Sequence, residues 1–343
     1  MTSARSYIGA MVGPGLALGA YALGAHLAVA AGLLSAGCLL LDATLGDGDP
    51  GSAAREGAVG RWLPRLFAPA LVAVTVLGAA DFAGAGWASR LALVVASSLY
   101  TTTFGINVAH ELIHSRRLWD RRLGGLMLAV LWTASFKVEH IRGHHRDVAT
   151  DADPASAPLG RSVYAHLPGA VWGNLAKGWR LEAQRLRRRR LPMWQHELLG
   201  WLAVSVGFTL AVGLLAGPAG AAFVLAQGLL SRINLEVINY VEHYGLRRAQ
   251  RGNGWERVAP AHSWTSERKA SRVVLLNLPR HADHHAHAAR PWVTLRRRDD
   301  APQLPAGYLA MFLVALVPPL WFRLMDPRVR ALRSDTHHTR ARS

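Results

Sequence analysis

The sequence predicts an all-α integral membrane protein: six transmembrane helices, with a cytoplasmic helical region carrying a histidine-rich metal site. Three observations lead there. Half of the 343 residues are apolar (51%), only 18% are charged and the mean hydropathy is positive, a balance outside the usual range of soluble domains. Uncharged stretches of membrane-spanning length recur along the chain. Nine of the sixteen histidines fall in four short sites at helical spacing, and neutral imidazoles clustered in this way point to metal. The single cysteine, Cys38, excludes a disulfide framework and any thiolate-ligated metal site.

After Arg5 the chain carries no charge until Asp42. As one helix this stretch would measure roughly 54 Å against about 30 Å of hydrocarbon. It therefore reads as two spans, 7–23 and 25–41, turning near Gly24 to His26, and it is too long for a signal peptide. Asp42 to Ser52, rich in Gly, Asp and Pro, is a loop. A third span follows at 63–80, then a turn at Asp81 to Gly86, then a fourth span at 87–108 that continues beyond the membrane. Thr103, Asn107, His110 and His114 recur on it at intervals of four, three and four, which draws one polar stripe down an otherwise apolar helix.

The segment 115–197 holds fifteen Lys and Arg, four of them consecutive at 187–190, so the positive-inside rule places it in the cytoplasm. Within it Leu123 to Phe136 is apolar but too short to cross, and reads as an interfacial or re-entrant helix leading to His140. The fifth span, 198–216, is turned by Gly217-Pro218 into the sixth, 219–240. Arg232, Glu236, Asn239 and His243 repeat the polar stripe there, and only a bundle interior suits such a face. Six spans leave both termini, the segments 115–197 and 243–343 and every histidine site on the cytoplasmic side of a cell inner membrane. Ala301 to Phe322 is uncharged, but Pro302, Pro305, Pro318 and Pro319 interrupt it and six arginines follow. It is read as a helix lying in the interface. Residues 1–343 form a single domain, without internal repeats.

The four sites are His110-Glu-Leu-Ile-His114, His140-Ile-Arg-Gly-His144-His145, His243 and His281-Ala-Asp-His284-His285. Residues four apart on a helix lie one turn away. His110 with His114, His140 with His144, and His281 with His284 and His285 are each expected to face one object. The first motif alone matches a zinc metalloprotease helix with Glu111 as general base. Nine histidines overfill one zinc and suit two metal ions; imidazole donors suit iron, and leave zinc and manganese open. Glu111, Glu139, Asp147, Asn239, Glu242 and Asp283 lie beside these histidines, where carboxylates orient imidazoles by accepting their other N–H. Ordinary surface or interfacial roles are expected for His26, His166, His196, His262, His287, His337 and His338. Arg232 with Glu236 is either an i,i+4 ion pair or part of the buried stripe. Arg187 to Arg190 and Arg296 to Arg298 flank membrane segments, which favours lipid headgroups over nucleic acid.

Taken in order, these motifs, together with Asn239-Tyr-Val-Glu-His-Tyr-Gly245 and Leu278-Pro-Arg-His281, resemble the membrane-bound alkane 1-monooxygenases of the fatty acid desaturase and hydroxylase superfamily. The resemblance covers most of the chain from Leu41, including 147–157 and 299–308. It implies a non-haem di-iron centre held by the nine histidines, with dioxygen as co-substrate and a terminal methyl group of an alkane from the bilayer as target. It further implies electrons from NADH through rubredoxin reductase and rubredoxin, the rubredoxin lying outside this one-cysteine chain. Ser115 stands where the family often has Lys, and Pro279 where Gln is common. Pro279 suits a helix start before His281. A lipid desaturase or acyl hydroxylase on the same site, and a metal-binding or transporting membrane protein, are the competing readings.

Overall fold

The computed structural model describes residues 4–22, 27–48 and 57–340. A 3₁₀ turn, Ala4–Met11, leads into α1 (Val12–Ala22) and α2 (Leu27–Leu45). Helix α3 (Ala58–Gly84) is followed by α4 (Trp87–Thr101), a π-turn (Thr102–Ile106) and α5 (Asn107–His114), which together make one helix. Then come α6 (Leu118–Val130), α7 (Ser135–Glu139), a second π-turn (His140–His144), α8 (His145–Asp147) and α9 (Val163–Arg189). The long α10 (Glu197–His243) precedes a two-stranded hairpin, Gln250–Arg251 with Gly254–Trp255, and α11 (Lys269–Val274), α12 (His281–Ala286), α13 (Tyr308–Ala315) and α14 (Pro318–Arg340) close the chain.

Among the described residues three helices are long and apolar enough to cross a membrane: Ala58–Gly84, Trp87–His114 and Glu197–His243. The last is doubled. Gly217 has φ +72° and ψ −179°, a region open essentially to glycine alone. A Cβ on Gly213 would lie 3.3 Å from Ala221 Cβ, although eight residues of straight helix span about 12 Å. The chain thus folds back at Gly217-Pro218, where the sequence places the turn between its fifth and sixth spans. Leu214 on the first arm is 89% exposed, as a leucine facing lipid would be.

Several boundaries differ from the sequence reading. For the first two expected spans the described apolar stretches are Tyr7–Gly19 and Leu33–Leu45, and the turn expected at 24–26 lies outside the described residues. Helix α2 runs past Asp42 because that carboxylate is not in a loop. It is buried, accepting from Ser271 N at 2.9 Å and Ser271 Oγ at 2.5 Å. Helix α3 takes in Asp81, which was expected in a turn. The helix expected at 123–136 starts at Leu118 and breaks after Val130, where Trp132 turns left-handed (φ 58°). The stretch 308–334 is a pair of helices bent by 119°, with Trp321 buried against Tyr240 and Tyr244.

Helix association in a bilayer relies on close packing and interhelical hydrogen bonds rather than on the hydrophobic effect. Both occur around α10. Its first arm is tied to α6 by Ser205 Oγ donating to Ala129 O at 2.7 Å, and Trp132 Nε1 donates to Thr209 Oγ1 at 3.0 Å. On its second arm Gly228 sits so close that a Cβ would be 2.9 Å from Leu131 O. Gln227 donates to Thr75 of α3, Asn234 donates to Ser98 of α4, and Ser231 shares a hydroxyl contact with Thr101 at 2.8 Å. These contacts join Ser98 and Thr101 of α4 to Ser231 and Asn234, whereas Arg232 and Glu236 of the α10 stripe turn to Ser135 of α7 and Asn174 of α9.

Candidate metal centre

Each polar stripe ends in histidine at the same level. Just before the first, Thr101 and Thr102 donate back to Ser97 O and Ser98 O at 2.8 and 2.7 Å, where the helix widens into the π-turn at 102–106. One turn beyond, His110 and His114 lie with ring centroids 4.9 Å apart.

The second π-turn decides how the next histidines divide. In an α-helix residues five apart point about 140° away from each other, whereas a π-turn brings i and i+5 together. His140 and His145 therefore approach to 3.0 Å between Nε2 atoms, and His144 turns elsewhere. The expected pairing of His140 with His144 is corrected by this change of helical phase. On α12, His281 pairs with His285 (Nε2 to Nε2 3.0 Å), while His284 reaches across to His145 at 3.2 Å.

Two groups result: His110, His114, His140, His145 and His284 form one, and His144, His243, His281 and His285 the other, the candidate ligand atoms of each lying within 4.8 Å of one another. They adjoin, with 4.4 Å between the ring centroids of His145 and His285. His243 enters through its Nε2, 3.3 Å from that of His281, while its Nδ1 faces His262 O at 3.1 Å.

These residues fit metal ions. Imidazole nitrogens bound at about 2.1 Å lie no more than roughly 4.2 Å apart across a metal, so slight closure of either group suffices. Nε2 of His110, His114 and His144 is buried without a hydrogen-bond partner, a cost that coordination removes. Burial, then neighbouring imidazoles, holds His140, His145, His281, His284 and His285 well below the usual histidine pKa, so they present lone pairs. At His144 burial acts the same way but Asp153 outweighs it, raising the pKa. No thiolate competes, since Cys38 lies in the wall of an apolar cavity.

The acidic neighbours take different places. Asp153, missed in the sequence, holds His144 Nδ1 at 3.0 Å and accepts from Ser156 Oγ at 2.6 Å. Lys177 on α9, also missed, stands 3.0 Å from Asp147, 3.5 Å from Glu139 and 3.9 Å from Asp153. Burial, then Asp153, raises the Glu139 carboxyl to about 7. Glu242 Oε2 lies 3.3 Å from His281 Nε2, on the donor side of the ring rather than behind it. Asn239 donates to Glu236 at 2.9 Å. Asp283 turns away from the groups, accepting from Arg290 at 2.6 Å and Arg296 N at 2.9 Å. Glu111 accepts from Trp292 N at 3.2 Å.

Of the histidines expected at the surface, His166, His196 and His262 are buried, and His287 is exposed. His26 lies outside the described residues, as do the side chains of His337 and His338. An apolar cavity of about 130 Å³ runs from Gly13, Ala17 and Leu34 to Asn107, His110 and His281. Arg232 and Glu236 are an i,i+4 pair at 3.1 Å, buried within the bundle.

The fatty acid desaturase family profile matches residues 85–315. The chain is 45% identical to alkane 1-monooxygenase 1 of Pseudomonas aeruginosa over 269 residues, 77% of this chain and 70% of that protein. It is 46% identical to alkane 1-monooxygenase 2 of the same organism over 71% of this chain and 66% of that one. The xylene/toluene monooxygenase hydroxylase component of Pseudomonas putida is 27% identical over 65% of this chain and 60% of its own length. With its paired histidine groups, this chain belongs to the fatty acid desaturase family and, within it, to the alkane 1-monooxygenases.

Proposed function

We propose that the protein is a non-haem di-iron monooxygenase of the membrane, hydroxylating the terminal methyl group of alkanes or similar apolar chains with dioxygen. The observation that carries this reading is the apolar cavity that ends on His110, His140 and His281. A hydrocarbon has no group to hydrogen-bond, so it is positioned by shape and apolar contact alone. Leu99, Phe104, Leu235 and Phe312 supply such contact along the cavity.

The five-histidine group would hold one iron and the four-histidine group the other, and bound iron supplies the oxygen activation that side-chain acid–base chemistry cannot. His110, His140 and His281 bring the cavity end to the centre, and Asp153 fixes the ring of His144. Glu242, lining the cavity beside His281, can hold a proton at its carboxylate next to the site where the alcohol forms. The surrounding apolar walls exclude water.

The proposed setting is one membrane domain of six spans with cytoplasmic termini in the cell inner membrane, and rubredoxin with its NADH-linked reductase as donor. The exposed leucines of α10 and the basic segment 115–197 support it. Purified protein supplied with this donor system is expected to carry about two irons per chain and to convert a medium-length alkane to its primary alcohol, with the new oxygen derived from labelled dioxygen. Oxygen drawn from water, or an alkene as main product, would overturn the assignment.

A further inference from the structure

The loop that follows α8 carries Asp153, the carboxylate behind the His144 ring. Residues 148–157 form turns and no regular helix or strand. Ala149 takes a left-handed backbone there (φ 59°), which a residue with a Cβ seldom adopts. Such a loop keeps its shape only if something outside it holds it.

Helix α9 does so. Gly173 and Lys177 are four residues apart and lie on one face of that helix, and both meet the loop. A Cβ on Gly173 would lie 2.8 Å from Pro154 Cβ, so there is no room for a side chain between helix and loop. Lys177 Nζ donates to Ala152 O at 3.0 Å and stands 3.0 Å from Asp147 and 3.9 Å from Asp153 Oδ1. Two more glycines let the lysine in. A Cβ at Gly143 would be 2.8 Å from Lys177 Cε, and one at Gly178 would be 3.1 Å from Ser135 O.

A buried charge is costly unless it is paired, and an ammonium has three donors and no acceptor. Lys177, buried with its side chain 8% exposed, directs them to Asp147 at the start of the loop, to Ala152 just before Asp153, and towards Glu139 Oε1 at 3.5 Å. Asp153 meets His144 Nδ1 and Ser156 Oγ through Oδ2, and its Oδ1 is on the lysine side.

We infer that Lys177 is a positioning residue of the metal centre: it ties the loop 147–153 to α9 and so holds Asp153 behind the His144 ring, which aims His144 Nε2 into the four-histidine group. The inference rests on the reading of that group as metal-holding. It makes retention of one metal depend on a helix that carries none of the nine histidines. A lysine that only neutralised buried carboxylates would stabilise the fold as a whole and would not distinguish between two metals.

The test uses the full-length protein in detergent, loaded with ferrous iron and dialysed against a chelator. Lys177→Met is expected to speed release of one of the two irons about tenfold and to leave the other at the wild-type rate. In an Asp153→Ala background the same substitution should add less than about twofold, because both changes act through one ring. Lys177→Met/Asp147→Asn removes one charge of each sign, so it leaves no excess buried charge to unfold the protein, and it should release the one iron as fast. Lys137→Met breaks a partly buried ion pair with Glu197; as the control it should lower stability and leave both release rates unchanged. Hydrogen exchange of the iron-free protein reads the tether without metal. Amides of 148–156 should exchange about tenfold faster in Lys177→Met/Asp147→Asn, while those in the second arm of α10 keep their wild-type protection. Both irons lost alike, release unchanged in Lys177→Met/Asp147→Asn, equal acceleration in Lys137→Met, full additivity with Asp153→Ala, or unchanged exchange in the loop overturns the proposal. A wild type that holds fewer than two irons counts against the two-metal reading, and the exchange measurement then decides the tether.

Discussion

Asp153 Oδ2 stands 3.0 Å from Nδ1 of His144, behind a ring whose Nε2 is buried and unpartnered. This is the arrangement in which a carboxylate fixes the tautomer and aim of a metal-binding imidazole. Asp153→Ala is expected to weaken retention of one of the two metals about 10- to 100-fold, with the other retained. Metal analysis after timed dialysis against a chelator measures it; loss of both metals at the same rate would contradict the assignment of His144 to the four-histidine group.

A second buried arrangement concerns stability. Glu236 accepts from Asn174 at 2.9 and 3.0 Å, from Asn239 at 2.9 Å, and lies 3.1 Å from Arg232. Removing the carboxylate leaves the Arg232 charge buried and unpaired, which costs about 3–5 kcal/mol. Glu236→Ala should therefore unfold at a markedly lower temperature in detergent. Replacing both residues with Met should recover most of the loss, because it removes the charge together with its partner.

Those two sites mark where sequence reading succeeds and where it stops. The polar stripes were legible because helical periodicity sets Arg232, Glu236, Asn239 and His243 against an apolar background. The four histidine motifs were legible by spacing. Their division into two groups was not, because it depends on a π-turn at 140–144 that shifts the helical phase, and no residue pattern announces that shift. Asp153 and Lys177 were missed for a different reason. Asp153 lies nine residues beyond His144, and Lys177 comes from another helix, so neither has a spacing tied to a histidine. The burial of His166, His196 and His262 likewise depends on tertiary packing.

The fold-back of α10 rests on Gly217. At φ +72°, ψ −179° any side chain is strained, by about 1–3 kcal/mol. Gly217→Ala is expected to lower thermal stability by that amount without changing metal content, since the turn carries none of the nine histidines. Stability equal to the wild type would mean that the turn adopts another backbone conformation.

The metal-free protein should be sensitive to acid. His140, His145, His281, His284 and His285 are held well below the ordinary histidine value by burial and by one another. In the unfolded chain they titrate near 6.5, so below that pH the unfolded state binds protons that the folded state refuses. Their stabilisation is present above about 6.5 and lost as pH falls below it, at up to about 1.4 kcal/mol per pH unit for each group. His144 and Glu139 are raised and act with the opposite sign, two groups against five. Thermal unfolding of chelator-treated protein at pH 7.5 and 5.5 should show the loss; a transition unmoved between them would contradict it.

His243 is far in sequence from the other three motifs, and it enters the four-histidine group from the C-terminal end of α10. Its Nε2 lies 3.3 Å from that of His281, and its Nδ1 is held by the carbonyl of His262, so the ring is aimed at the centre from behind. His243→Ala leaves His144, His281 and His285 as the only histidines of that group, one short of a full four-nitrogen set. The variant should insert and fold, retain close to one metal per chain where the wild type holds about two, and lose hydroxylation. His196→Ala is the matched control. His196 is buried and stacks on Trp179 with centroids 4.7 Å apart, so its removal should lower stability while leaving metal content at the wild-type level. Full metal content in His243→Ala would reduce the centre to the eight histidines of the other three motifs and leave the end of α10 a purely structural role.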